Sequence, residues 1–363
     1  MAHTSLLRPV RSKLLPLALL LMVATSCGRL QRIAGSGQHG KGHGGHGGQG
    51  GTTTTTTGTP VTDLQLTFST PPLPVTNKFA ADIPYSNSSA AVFDIFLPKG
   101  DAPAPLVIFI HGGGFRQGDK KILYQKYPAE TQELLNHGFG VATISYRFMT
   151  DGPNGIMNSL ADMRRCLQFI RYHAQELHVD PSKIGCVGNS AGAGGSIWLA
   201  VHDDMAAPSS TDPVERESTR ISAVAAMNPQ SSYDIFRWDA IFEKPFNYQP
   251  TADPKMQQEM LTVYAANKFS DLQSRPDLIA LRKSLDMLSM MDPSDPPMWL
   301  ESENSGEAPK KISATLHHPL HVQALADAAK AHGVSVYAEA PGENMRPSKP
   351  ESFPQFFEDT LGK

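Results

Sequence analysis

The chain has 363 residues, a formal net charge of −3, a 40% hydrophobic content and three cysteines. Near-balanced charge, with no basic cluster in its main body, excludes nucleic acid as an implied partner. The roughly 300 residues that follow a compositionally odd N-terminus suit one large domain, and no cysteine spacing suggests a metal site.

At the N-terminus, Arg8, Arg11 and Lys13 precede the apolar run Leu14–Val23. A basic region followed by an apolar stretch too short to span a bilayer reads as an export signal. Ala24-Thr25-Ser26-Cys27 follows and resembles a bacterial lipobox, so residues 1–27 are expected to be a lipoprotein-type signal peptide. Cys27 would then be the lipidated residue, anchored to a membrane rather than spanning it. Cleavage at an ordinary signal-peptide site, giving a secreted chain, is the alternative. Residues 28–60 alternate Gly with His and then run through Thr52–Thr57. They have too little apolar surface to offset their ordering entropy and are expected to be a flexible tether. Residues 61–363 form the expected domain.

Within that domain strands and helices alternate. Phe93–Leu97 reads as an early antiparallel strand. Leu106–Ile110 is a β-branched apolar run that ends in His111-Gly112-Gly113-Gly114-Phe115. Three glycines after a buried strand cost chain entropy; they make sense if backbone N–H groups must approach a ligand. A helix reaches His137 and stops at Gly138, and Gly140–Ser145 is the next strand. Ser159–Leu177 reads as a helix whose apolar face carries Leu160, Met163, Leu167, Ile170, Ala174 and Leu177. Lys183–Val187 is a strand leading into Gly188-Asn189-Ser190-Ala191-Gly192 and then a small-residue helix. Strand, Gly-x-Ser-x-Gly, helix is the context of a nucleophile elbow. Ser190 would be the nucleophile, and the N–H groups of Gly113, Gly114 and Ala191 would form the oxyanion hole. Cys166 and Cys186 are expected to be buried free thiols. Ile221–Met227 is a further strand. Residues of about 229–290 then break the rhythm as a helical insertion rich in Tyr233, Phe236, Trp238, Phe242, Phe246 and Tyr248, serving as packing or as pocket lining. Pro297–Leu300 is the penultimate strand, His321–His332 a helix, Val334–Ala338 the last strand and Phe353–Leu361 a closing helix.

The Phe93–Pro98 strand, the HGGGF loop, Ser145-Tyr146-Arg147, the GNSAG elbow and Asp295-Pro296-Pro297 together resemble the α/β-hydrolase superfamily. Within it they resemble the HGGG-bearing carboxylesterases, hormone-sensitive-lipase-like and BD-FAE-like. The resemblance covers roughly residues 75–340. It implies an α/β fold with a mainly parallel sheet, helices on both faces, and an insertion after the strand that follows the elbow. It also implies an exported serine carboxylic-ester hydrolase acting through an acyl-enzyme, with no cofactor and no metal, on a small-molecule or polysaccharide-linked ester.

One departure stands out. The family carries its triad histidine after the last strand, but this chain has Glu343 and Asn344 there and no histidine after His332. The acid, expected after the penultimate strand, falls to Glu307 or else Glu303. The base falls to the cluster before the late helix: His318 first, with His317 and His321 as alternates. His111 is expected to shape the oxyanion loop, and His202 to end a helix. If no histidine reached Ser190, the fold would be a degenerate hydrolase serving as a surface binding or scaffold module.

Overall fold

The computed structural model describes residues 59–340 and 350–362. The chain divides into two units, Met1–Thr56 and Thr57–Lys363, and the described residues belong to the second. The signal peptide, Cys27, most of the tether, and Glu343 and Asn344 lie outside the described residues.

Among the described residues nine strands form one sheet: β1 Phe68–Ser69, β2 Phe79–Pro84, β3 Val92–Phe96, β4 Ala104–Ile110, β5 Gly140–Ile144, β6 Val179–Asn189, β7 Ala223–Met227, β8 Met298–Glu301 and β9 Val336–Glu339. Their spatial order is β1-β2-β3-β5-β4-β6-β7-β8-β9. The pairs β1–β2, β2–β3 and β3–β5 are antiparallel. Every pair from β5–β4 through β8–β9 is parallel.

The central strands are apolar on both faces because helices cover both faces. Side chains alternate across a strand, so Leu106, Ile108 and Ile110 enter one core while Val107 and Phe109 enter the other. The first core also holds the helix Ile156–Tyr172, through Leu160, Met163, Leu167 and Ile170. The second holds Leu134 and Leu135 of the helix Pro128–Asn136, and Phe353, Phe356 and Phe357 of the helix Phe353–Leu361. Each fully buried large apolar side chain contributes ~1.5–3 kcal/mol.

The helix expected over Ser159–Leu177 starts earlier and ends at Tyr172. Ala174 and Leu177 are still buried, but they sit in turns that lead to His178 at φ 53°. The insertion after β7 contains helices at Phe236–Phe246, Pro254–Val263 and Pro276–Lys283. Cys166 and Cys186 are buried and unbridged; burial pushes the Cys186 thiol up to about 12. No helix among the described residues is long and apolar enough to cross a membrane.

Candidate active site

Ser190 stands between the end of β6 and the helix Ala191–Val201, with φ 54° and ψ −118°. A non-glycine residue in that region stores ~1–3 kcal/mol of strain, which the surroundings must hold. The Ser190 N–H donates to the Met227 carbonyl at 2.9 Å, and the Ser190 carbonyl accepts from the Gly194 N–H at 3.0 Å. The flanking glycines are steric requirements. A Cβ on Gly188 would lie 2.3 Å from the Gly192 backbone, and one on Gly192 would lie 2.0 Å from the Ile110 carbonyl oxygen.

The loop after β4 meets this turn at close range. A Cβ on Gly112 would lie 2.7 Å from the Asn189 carbonyl oxygen, and one on Gly113 would lie 2.0 Å from the Gln117 carbonyl oxygen. Gly113 and Gly114 both have positive φ, 114° and 63°. Their N–H groups have no backbone acceptor among the described residues. Ala191 is the first residue of its helix, where N–H groups lack intrahelical partners. Gly113, Gly114 and Ala191 line the same cavity as Ser190.

The loop is braced from behind. Tyr146 donates to the His111 carbonyl at 2.7 Å and its ring stacks on the His111 ring at 4.3 Å. His111 is fully buried and burial lowers its pKa; it supports the loop. The neighbours of Tyr146 also brace this region: the Ser145 hydroxyl accepts the Lys120 N–H, and Arg147 pairs with Asp162 at 2.6 Å.

A histidine reaches Ser190, and it is His317. Its Nε2 lies 2.7 Å from Ser190 Oγ. Burial lowers the His317 pKa, and the nearby Ser313 main chain partly opposes that. At neutral pH the ring is therefore uncharged and able to accept a proton. No carboxylate among the described residues contacts this ring.

His318, the first choice from sequence, is buried against the rings of Phe242 and Phe246, at 5.3 and 5.2 Å. Its Nδ1 accepts the Leu320 N–H, and its Nε2–H donates to the main-chain carbonyl of Glu307. The two residues chosen as base and acid do meet, but through Glu307's backbone, and neither lines the cavity around Ser190. The Glu307 and Glu303 side chains are exposed. The reason is local: the short helix Ile312–Leu316 ends at His317, and consecutive residues there point in different directions.

His321 is fully buried. Its Nε2–H donates to the Thr315 carbonyl at 3.0 Å, and Nδ1 accepts from Ser231. Burial lowers its pKa to about 3, opposed by the Thr315 hydrogen bond and reinforced by His318 and His317. His202 Nδ1 bonds the Asp203 carbonyl just past the helix that follows the elbow.

The cavity above Ser190 has a volume of about 560 Å³, in the range of small-molecule sites. Met149, Ile156, Met260 and Val263 give it apolar walls, and from the aromatic cluster of the insertion Tyr233 and Trp238 line it too. Phe242 turns to His318 and His321 instead. At its edge Arg116 of the glycine loop pairs with Glu259 of the insertion at 3.0 Å. Asn228, Gln230 and Asn304 complete the polar lining. Sequence reasoning passed over these three, since lone amides in loops carry no pattern.

The profile of the BD-FAE family matches residues 93–300, more than half of the chain. Gut esterase 1 of Caenorhabditis elegans is 28% identical over 116 residues, covering 30% of this chain and 20% of its own length. The chain spans about a fifth or less of the curated relatives it matches first. Among solved structures, a truncated carbohydrate esterase from gut microbiota superposes with a TM-score of 0.55 at 15% identity, covering 78% of this chain and 96% of that one. An inhibited esterase B from Lactobacillus rhamnosis gives 0.52 at 18% identity, covering 79% and 86%. At such identities the likeness establishes the fold.

Proposed function

This chain belongs to the BD-FAE family, within the α/β-hydrolase carboxylesterases, and we propose that it hydrolyses carboxylic esters through an acyl-enzyme on Ser190 with His317 as the base. The observation that carries this reading is the 2.7 Å contact between Ser190 Oγ and His317 Nε2.

As Oγ attacks the ester carbonyl, its proton passes to Nε2 and a C–O bond forms. The carbonyl oxygen becomes an oxyanion facing the N–H groups of Gly113, Gly114 and Ala191, each such donor being worth ~3–4 kcal/mol in the transition state. The proton on Nε2 then goes to the departing alkoxide. Water, deprotonated by the same nitrogen, releases the acid and restores Ser190.

The apolar walls suit an acyl group of modest size, and the polar rim suits a hydroxyl-bearing alcohol. A saccharide-linked ester is the substrate class these features favour, and the carbohydrate esterase among the structural relatives supports it. The basic, apolar and Cys27 pattern of the N-terminus supports export and lipid anchoring of the enzyme.

Labelling with a fluorophosphonate tests the dyad, because the probe reacts with an activated serine. The wild-type chain is expected to label, Ser190→Ala to give no signal, His317→Ala to lose nearly all of it, and His318→Ala to retain it. An unlabelled, folded wild-type protein would point instead to a degenerate hydrolase acting as a binding module. Loss in His318→Ala but not in His317→Ala would overturn the assignment of the base.

A further inference from the structure

A triad acid fixes the imidazole relative to the serine from outside. Here no carboxylate among the described residues contacts the His317 ring. The structure shows what else holds it. The His317 carbonyl accepts from Asn304 Nδ2 at 3.1 Å, and the same amide donates to Asn228 Oδ1 at 2.9 Å. The Leu316 carbonyl accepts from Gln230 Nε2 at 2.8 Å. The Thr315 carbonyl accepts from His321, whose other nitrogen meets the Ser231 hydroxyl at 3.0 Å. Three successive carbonyls are thus held by side chains, and all three lead back to residues 228–231.

The same turn holds the nucleophile, since the carbonyl that receives the Ser190 N–H belongs to Met227. The turn is itself firmly set. Asn228 has φ 52°, a conformation that asparagine tolerates better than most residues. Its N–H donates to the Glu301 carbonyl at 2.7 Å, and Gln230 and Ser231 are buried.

We propose that the turn Met227–Ser231 is the positioning element of the dyad: it sets the Ser190–His317 distance by holding the serine through Met227 and the two peptides that flank the histidine through Asn228–Asn304 and Gln230. Asn304 and Gln230 are positioning residues that act through His317 and take the mechanical part that a triad carboxylate plays. The proposal rests on Ser190 and His317 being the catalytic pair.

The test uses Asn304→Ala, Gln230→Met and the double variant, each lacking a donor to a peptide that flanks His317. Three quantities are read: the second-order rate of fluorophosphonate labelling, kcat and KM on a soluble short-chain ester, and the melting temperature. A misplacement of the order of 1 Å costs roughly 10²-fold in rate. Each single variant is expected to lower kcat and the labelling rate about 10- to 100-fold, with KM within about twofold. The double variant is expected to lose less than the product of the two, because the amides hold the two peptides that flank one residue. Asn304 is exposed, so its variant keeps the wild-type melting temperature and stays informative if Gln230→Met is destabilised. Rates within twofold of wild type, a rise in KM at constant kcat, or a loss that follows melting temperature would each overturn the proposal. A wild-type protein that does not label would instead remove the dyad itself, which separates the two failures.

Discussion

The buried imidazole of His321 makes stability depend on pH in a way that can be isolated. In the folded chain its pKa is about 3, pushed down first by burial, against ~6.5 when exposed in the unfolded chain. The unfolded chain therefore gains a proton as pH falls through 6.5, whereas the folded chain stays neutral until about 3. The stabilisation is complete above pH ~6.5 and is lost progressively between ~6.5 and 3, at ~1.4 kcal/mol per pH unit. Over the whole window that amounts to roughly 4–5 kcal/mol, a large share of a typical domain's stability. Urea unfolding of the wild type and of His321→Gln between pH 7.5 and 4 measures it. At pH 7.5 the variant is expected to be less stable by ~1–3 kcal/mol, because it disturbs the bonds to Thr315 and Ser231. The gap should then narrow as pH falls, since the variant has no group there to protonate. Parallel pH dependences of the two proteins would refute the reasoning and show that His321 is protonated, or reachable by solvent, in the native state.

Three further outcomes follow from particular contacts. Because burial lowers the pKa of His317, the acid limb of kcat/KM should lie below ~6.5, with activity lost as pH falls through it; a limb at or above that value in a pH–rate profile would contradict the assignment. Gly192→Ala places a Cβ 2.0 Å from the Ile110 carbonyl oxygen, so urea unfolding should show a loss of about 3 kcal/mol or more and fluorophosphonate labelling should vanish. Wild-type stability in that variant would mean that the elbow packs less tightly than described. Glu307→Gln should leave kcat/KM within about twofold, because the exposed carboxylate contacts no part of the dyad, while His318→Ala should cost ~2 kcal/mol of stability through its lost packing and hydrogen bonds; a hundredfold loss of kcat in Glu307→Gln would restore that residue as the acid.

The parts of the site visible in the sequence are those in which backbone geometry dictates residue type. Gly188, Gly192, Gly112 and Gly113 are glycines because any Cβ would collide, so the elbow and the glycine loop can be read as strings. The central strands are legible for a similar reason, since burial on both faces leaves only apolar choices. Sequence narrows the histidine beside Ser190 to a cluster, but that His317 and not His318 makes the contact depends on the phase of a five-residue helix, which no periodicity reveals. The bonds that hold the His317 segment go to the main-chain carbonyls of Thr315, Leu316 and His317, and every residue has one, so sequence carries no sign of them. Trp238 and Phe242, four residues apart on one helix face, both pack on His321, and only Trp238 also reaches the cavity, a division that depends on position along the helix and that no periodicity reveals.

Ser190 and His317 lie 127 residues apart, and the strands β7 and β8 come between them in the chain. Their contact therefore forms only after the elbow, the turn after β7 and the short helix before His317 have all found their places. Long-range closures of this kind come late and slowly in folding. Covalent labelling of Ser190 consequently doubles as a clock. During refolding, the appearance of probe-reactive serine should lag behind the recovery of helical signal, and its half-time would measure the completion of the sheet rather than the formation of any one element.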